Sequence, residues 1–446
     1  MPLTSIGLWQ TSPHLQSFPR AIVHIDGDAF FASCETALHP ELRGRPVVTG
    51  RERGIASSLS YEAKARGVVR GMMLSDVRRV CPDAVILPSD YETYSLFSKR
   101  MFAIMRRFTS VVEEYGIDEG FAEITGLRGP LHMGYEEIAR AMKTAIDAEL
   151  GFTVSVGLAP TKSLAKIASK WQKPNGFTSV PGRAIRGYLS ALGVEKIWGV
   201  GPNTAAHLRS LGIFTALEFI ERPFEFVVAH FNKPHQEMWH ELNGVCVWPV
   251  VTEEKSTYAS ISKTKTFTPP SGDVEFLMAQ LTRNLENACI KARRHGLVAR
   301  RLVVYLRTQQ FSHAAAEAKI TRASNFPHDL LPHVRTLVEE IFRRGVLYRA
   351  TGVVLADLSA DTSVQSSLFE SPVRMEKLQR VYAAIDALDA AFGKHTVHLG
   401  GSQKTFSGAQ FLGNDGRSRA TAREQNLLQG ETARQRVRIP RMIMSV

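Results

Sequence analysis

The chain reads as a succession of apolar runs and amphipathic stretches. Residues 21–31 (AIVHIDGDAFF) open on an apolar run that predicts a buried strand. Residues 35–90 are mixed, with turn signals at Arg43-Gly44-Arg45-Pro46 and Arg70-Gly71. Between 91 and 112, Leu96, Phe102, Ile104, Met105 and Phe108 recur at helical spacing. Two strand-like runs, Val111–Thr125 and Phe152–Leu158, flank a helical stretch, YEEIARAMKTAIDAEL. Residues 161–172 predict a helix that stops at the loop signal Lys173-Pro174-Asn175-Gly176. Strands interleaved with helices predict an α+β or α/β core for this half.

Residues 181–250 read as short-looped helices, and the polar residues 251–258 as a linker. A strand is expected within KSTYASISKTKTFT. It precedes an amphipathic helix with Val274, Leu277, Met278, Leu281, Leu285 and Ala288 on one stripe, ending near Gly296. ARRLVVYLRT predicts a strand, DLLPHVRTLVEEIFRRG a second helix and ATGVVLADLS a last strand, together a compact α+β module. Beyond 358 the chain turns polar, with one helical patch (MEKLQRVYAAIDALDAAFG) and a Gly/Gln/Arg-rich end expected to be poorly ordered when alone. The fold class is therefore α+β and multidomain. No internal repeat is evident.

Length and charge refine this picture. At 446 residues and 44% hydrophobic composition, the chain suits several globular modules. No apolar run approaches the roughly 18 residues that cross a bilayer, and no secretory signal is recognised, so no membrane partner is expected. Cys34, Cys81, Cys246 and Cys289 are dispersed, which argues against a zinc site or disulfide framework and fits a reducing cytoplasm. The net charge of +12 is uneven. Residues 256–358 hold 15 Lys and Arg against 8 Asp and Glu, residues 371–446 hold 12 against 6, and the rest is close to neutral. A basic C-terminal half suits a polyanion, nucleic acid being the usual one, and a solvated surface explains the same charge equally well.

The chemical signal is a pair of acidic clusters. Asp26-Gly27-Asp28 ends an apolar strand, and Asp118-Glu119 lies within YGIDEGFAEITG. Carboxylates at strand ends are costly unless paired or metal-bound, and hard oxygen ligands of this kind suit Mg²⁺. Two such ions, about 3.5–4 Å apart, clamp an in-line phosphoryl displacement. Asp26 and Asp118 are the natural bridging ligands, Glu119 the third and the Gly27 carbonyl a fourth. Alone, an Asp-x-Asp pair more often caps a turn.

AIVHIDGDAFFASCE, SYEAKARGVVRGM, YGIDEGFAEITG, VSVGLAPTKSLAKIASKWQKPNG and IWGVGPNTAAHLRSLGI occur in the order and spacing of the Y-family translesion DNA polymerases, which the chain resembles from about residue 21 to 358. IDGDAFF is similar to the polymerase IV branch; FFASCE and YRATGVVLADLS are similar to the polymerase V catalytic-subunit branch. The resemblance implies a right-handed polymerase: an N-terminal extension (1–20), palm (21–37 and 91–180), fingers (38–90), helical thumb (181–250), linker (251–258), α+β little finger (259–358), and a clamp-binding peptide with a basic tail (359–446). It puts the metal ligands at Asp26, Asp118 and Glu119, with Asp28 usually not a direct ligand. It makes Phe31 the ring that excludes a ribose 2′-hydroxyl, and Phe30 a core aromatic. Triphosphate contacts fall on Ser58, Tyr61, Lys64 and Lys173. Ser58 stands where many relatives have Thr, and Lys64 where the family commonly has Arg, which loses a bidentate fork.

Residues 199–213 resemble a helix-hairpin-helix, whose Gly199-Val200-Gly201 turn would offer backbone N–H groups to a DNA phosphate. In the 256–358 module, Lys263, Lys265, Arg300, Arg301 and Arg307 lie in predicted strands, and alternation would gather basic residues on one sheet face for the duplex backbone. Gln365-Ser366-Ser367-Leu368-Phe369 is similar to the sliding-clamp-binding peptide of bacterial polymerases. The expected partners are primer–template DNA, deoxynucleoside triphosphates and a clamp of the bacterial beta type. Two other readings share parts of this logic. A non-catalytic scaffold for DNA and clamp is disfavoured by the presence of all three carboxylates. A nucleotide cyclase leaves the helix-hairpin-helix and the basic module unexplained.

Overall fold

The computed structural model describes residues 17–253, 258–361, 372–392 and 395–405, which form two compact units that part between Glu253 and Glu254. Gln365, Leu368 and Phe369 lie outside the described residues. In the first unit, β1 (Ile22–Gly27) leads into α1 (Phe30–Leu38). A small three-stranded sheet follows, built from β2 (Val47–Thr49), β3 (Ser58–Leu59) and β4 (Val85–Leu87), with α2 (Tyr61–Ala65) and α3 (Leu74–Val80) between β3 and β4. The chain continues through α4 (Tyr91–Met105), β5 (Val112–Glu113), β6 (Glu119–Glu123), α5 (Arg128–Leu131), α6 (Tyr135–Leu150), β7 (Val154–Ala159), α7 (Lys162–Trp171) and β8 (Phe177–Ser179). Five short helices close the unit: α8 (Ile185–Ser190), α9 (Pro202–Ser210), α10 (Ala216–Ile220), α11 (Phe224–His230) and α12 (Lys233–Leu242).

The main sheet has the order β5-β6-β1-β7-β8, so the apolar opening strand is central and wholly buried. Strand alternation divides its side chains between two cores. Val23 and Ile25 pack with Phe102, Ile138 and Met142, from α4 and α6, while Ile22 joins Leu164 and Ala168 of α7. His24 and Asp26 share the Ile22 face by that alternation, the side on which α7 lies. The run Val111–Thr125 is not one strand. Gly116 N–H donates to the Glu119 carbonyl at 2.8 Å and folds it into the β5–β6 hairpin. Helix α7 lies close enough to β7 that a Cβ on Gly157 would overlap the Ala165 carbonyl oxygen and the Ser169 nitrogen.

The second unit contains the antiparallel sheet β11-β10-β12-β9, formed by β9 (Ser260–Ser271), β10 (Leu297–Thr308), β11 (His313–Ser324) and β12 (Tyr348–Ala360). Helices α13 (Val274–Arg294) and α14 (Pro327–Ile341) cover one face, where Leu277, Leu285 and Leu337 pack on Leu302, Val304 and Leu355. The predicted helical patch is α15 (Pro372–Phe392), and it packs on this unit. Arg293 donates to both Asp386 oxygens at 2.7 Å, and Tyr382 stacks on Phe326 at 5.1 Å.

The register corrects one expectation about the basic residues. Lys263 pairs with Val353 and Lys265 with Thr351, and both partners are fully buried on the helix-covered face. Directly opposed residues share a face, so these two lysines leave the sheet on the side of α13. Lys263 is in fact held below the usual lysine range by burial and by the charges of Lys291 and Arg294 on that helix. Arg301 and Arg307 alternate with the buried Leu302, Val304 and Leu306 and lie on the open face. Arg300 lies where the β10–β11 register shifts, between Ala299 and Arg301.

Gly157→Ala is expected to force α7 off β7 and to cost about 1–3 kcal/mol of stability. Chemical denaturation of the variant checks this; an unchanged midpoint would mean that the helix tolerates the side chain.

Candidate active site

The pairing of β1 with β6 sets Asp26 directly opposite Glu119, and Gly27 N–H donates to the Asp118 carbonyl at 2.8 Å. All three predicted ligands therefore meet at neighbouring strand ends. Asp118 registers the crowding: burial, then the charges of Asp26 and Glu119, push its carboxyl above the usual carboxylate range. A Cβ on Gly27 would approach Phe30 Cδ2 to 2.8 Å, so the bend after the strand leaves little room for a side chain.

Two lysines counter this charge. Lys173 Nζ lies 2.6 Å from Asp26 Oδ1 and 3.7 Å from Asp28 Oδ1. Lys166, on the face of α7 turned to the sheet, pairs with Glu119 Oε2, and His24 Nε2 stands 3.4 Å from the same oxygen. Burial alone would raise the Glu119 carboxyl, but His24 and Lys166 outweigh it and hold it at about 2. Burial depresses His24, and its Nδ1 shares a 2.7 Å hydrogen bond with Ser169 Oγ. Among the described residues Asp118 has no ion pair, and no group of three His, Cys, Asp or Glu side chains stands in metal-ligand array. Asp26 and Glu119 are each engaged by a lysine, Lys173 and Lys166 respectively. The donor set remains three hard carboxylates with surplus negative charge at Asp118, a fit to divalent cations.

Asp28 has a different part. Its oxygens accept from Thr153 Oγ1 (2.9 Å), Ser155 Oγ (2.7 Å) and the Asn175 N–H (2.7 Å). It thus ties the loop that carries Lys173 to β7.

Of the four predicted triphosphate contacts, three are gathered here. Tyr61 opens α2, and burial plus the charges of Asp28 and Asp26 raise its phenol to about 12. Lys64 lies over the Tyr61 ring at 4.1 Å, and burial and the Lys173 charge lower it. Ser58 lies on β3, paired with Thr49, and is not among the groups that contact the carboxylates. Phe31 stacks on Tyr94 with centroids 4.5 Å apart and planes at 13°, and meets Tyr91 edge-on at 5.3 Å. Phe30 beside it is core. At the helix-hairpin-helix candidate, Gly199 has φ 93°, a left-handed value that favours glycine, and a Cβ on Gly201 would meet open space at the start of α9.

Sequence comparison decides the family. Residues 25–170 match the impB/mucB/samB family, and residues 258–368 match its C-terminal domain. A DNA polymerase IV of Moorella thermoacetica is 33% identical over 383 residues, which cover 85% of this chain and 95% of the relative. A DNA polymerase IV of Opitutus terrae is 33% identical over 381 residues, covering 85% and 96%. This chain belongs to the impB/mucB/samB family, the Y-family translesion DNA polymerases. The fold agrees with that family. A Y-family DNA polymerase chimera superposes with a TM-score of 0.64 at 24% identity, covering 76% of this chain and 99% of the other, and an insertion ternary complex of Dbh DNA polymerase superposes with a TM-score of 0.51.

Sequence reasoning missed His24, Lys166 and the Thr153–Ser155 cradle. The available signal was a histidine in the apolar run before Asp26, and Lys162 and Lys166 one turn apart in a helix that also carries Leu164, Ala165, Ile167 and Ala168.

Asp28→Ala would leave two hydroxyls and one backbone N–H without their acceptor. The expected loss is about 1–3 kcal/mol, together with faster proteolysis at 173–176. An unaltered melting temperature and cleavage pattern would remove Asp28 from this role.

Proposed function

We propose that this chain is a template-directed, low-fidelity DNA polymerase that extends a primer 3′-hydroxyl across damaged templates. The observation that carries the reading is the convergence of Asp26, Asp118 and Glu119 at paired strand ends, beside Tyr61, Lys64 and Lys173. We assign Asp26, Asp118, Glu119 and the Gly27 carbonyl as the holders of two Mg²⁺ ions. Bound there, the ions supply charge neutralisation for the attacking oxygen and the leaving pyrophosphate.

The chain's own residues do the rest. Tyr61, Lys64 and Lys173 bind the triphosphate, with Lys173 exchanging the Asp26 carboxylate for a phosphate oxygen. Ser58, on the neighbouring strand, adds a hydroxyl. Phe31, backed by Tyr94 and Tyr91, presents a fixed ring to the sugar, and a ribose 2′-hydroxyl would collide with it. Asp28 holds the Lys173 loop at its working distance. On this reading the main sheet and its helices are the palm, the three-stranded sheet with α2 and α3 the fingers, α8–α12 the thumb and the second unit the little finger. The Gly199–Gly201 turn, Arg300, Arg301 and Arg307 contact the DNA backbone, with Lys263 and Lys265 reaching it only past the sheet edge. Gln365, Leu368 and Phe369 form the clamp-binding peptide, supported by their sequence alone.

Primer extension by the purified full chain with Mg²⁺, on intact and abasic templates, tests the reading. Asp118→Ala should lower the extension rate by about 10³-fold or more, several kcal/mol of lost transition-state stabilisation, while primer–template affinity stays within about twofold. Phe31→Ala should raise ribonucleotide incorporation about 10²-fold, close to the 1–3 kcal/mol typical of steric discrimination at a pocket wall. Extension that survives Asp118→Ala would refute the assignment of the catalytic centre. Unchanged sugar selectivity would move the gate away from Phe31.

A further inference from the structure

Lys166 is buried in the middle of α7, at a position the substrate contacts do not use. Its ammonium pairs with Glu119 and lies over two aromatic rings, Tyr115 at 4.8 Å and Trp198 at 5.2 Å from their centroids. The rings brace each other. Tyr115 meets Trp198 edge-on at 5.3 Å, and Trp198 stacks on Phe121 at 5.9 Å. An ammonium taken out of water is costly unless its surroundings replace the lost hydration. Here one carboxylate and the faces of two aromatic rings do so. The lysine is therefore confined to one position.

That position constrains Glu119. Lys166 and His24 both approach the same oxygen, Oε2. The carboxylate is pinned through one oxygen, and Oε1 is left for another ligand. Metal-binding carboxylates are commonly oriented in this way by partners outside the ligand set, and loss of such a partner typically weakens metal affinity or activity by about 10–100-fold. Trp198 immediately precedes Gly199, so the ring that confines Lys166 sits at the base of the turn that begins α9.

We propose that Lys166, clamped between Tyr115 and Trp198, is a positioning residue that presents Glu119 Oε1 to a divalent ion. The inference rests on the polymerase reading of the site. It adds that the thumb-side tryptophan shares in building the metal site, although it touches neither metal nor nucleotide.

The test titrates Mn²⁺ into the full chain bound to primer–template, with bound ion counted by electron paramagnetic resonance, and measures single-nucleotide extension alongside. Lys166→Met keeps the stem and removes the charge. It should weaken Mn²⁺ binding by about 10–100-fold and lower kcat comparably, with the KM for the nucleotide within about twofold. Trp198→Leu should act in the same direction and Trp198→Phe should restore most of the loss. The double variant Lys166→Met with Trp198→Leu should be no worse than Lys166→Met alone. If Lys166→Met does not fold, as judged by circular dichroism, the Trp198→Leu and Trp198→Phe pair carries the test on the same readouts. Wild-type-like Mn²⁺ affinity in a folded Lys166→Met variant, or losses that add in the double variant, would overturn the positioning role and leave the polymerase reading intact. A wild-type chain that binds no Mn²⁺ and extends no primer would overturn both.

Discussion

Three carboxylates held at the tips of two paired strands repel one another, and this part of the molecule is organised around that repulsion. The β1–β6 register makes Asp26 and Glu119 neighbours by construction, and the hairpin turn adds Asp118. Left unscreened, such a cluster would favour protonation or unfolding. The chain answers with cations of two kinds. Lys166, itself buried, is held behind Glu119 against the rings of the exposed Tyr115 and the half-buried Trp198, whereas Lys173 reaches Asp26 from a loop end and is partly open to solvent. On the proposed reading the first stays in place and the second exchanges Asp26 for a phosphate oxygen when a nucleotide binds.

Scaffold and chemistry are linked through specific contacts. Gly157 lets α7 lie against β7, and that approach brings Lys166 and Ser169 beneath the carboxylates. Asp28, one residue past the strand, spends its oxygens on Thr153, Ser155 and Asn175 and so fixes the loop that delivers Lys173. Two acids two positions apart would share a face if the strand continued; because β1 ends at Gly27, Asp28 turns to Thr153, Ser155 and Asn175 while Asp26 stays with Lys173. The stacking of Phe31 on Tyr94 likewise holds one ring in place, which the proposed exclusion of a ribose hydroxyl would need.

Much of this was legible in the sequence. The apolar run before Asp26 predicts the central strand, and the amphipathic spacing in YEEIARAMKTAIDAEL and in residues 274–288 predicts α6 and α13. Turn chemistry inside a single apolar run was harder to read, so the β5–β6 hairpin was merged into one segment although Gly116 marks it. The alanine-rich β11, HAAAEAKITRAS, lacks the β-branched density that signals a strand, and only pairing with β10 settles its form. Period-two alternation says that Lys263 and Lys265 share a face but not which face the helices cover; that depends on partners distant in sequence. Lys166 was hidden for a related reason, because its value lies in the rings of Tyr115 and Trp198, which the chain delivers from either side of α7.

The most direct measurement is a crystal structure of the full chain with primer–template, a non-reactive deoxynucleoside triphosphate and Mg²⁺. The account predicts two ions between Asp26, Asp118 and Glu119, Lys173 moved from Asp26 to the triphosphate, and Lys166 still seated between Tyr115 and Trp198 on Glu119. A nucleotide bound with Asp26 and Glu119 still joined to their lysines, and no ion between the carboxylates, would contradict it.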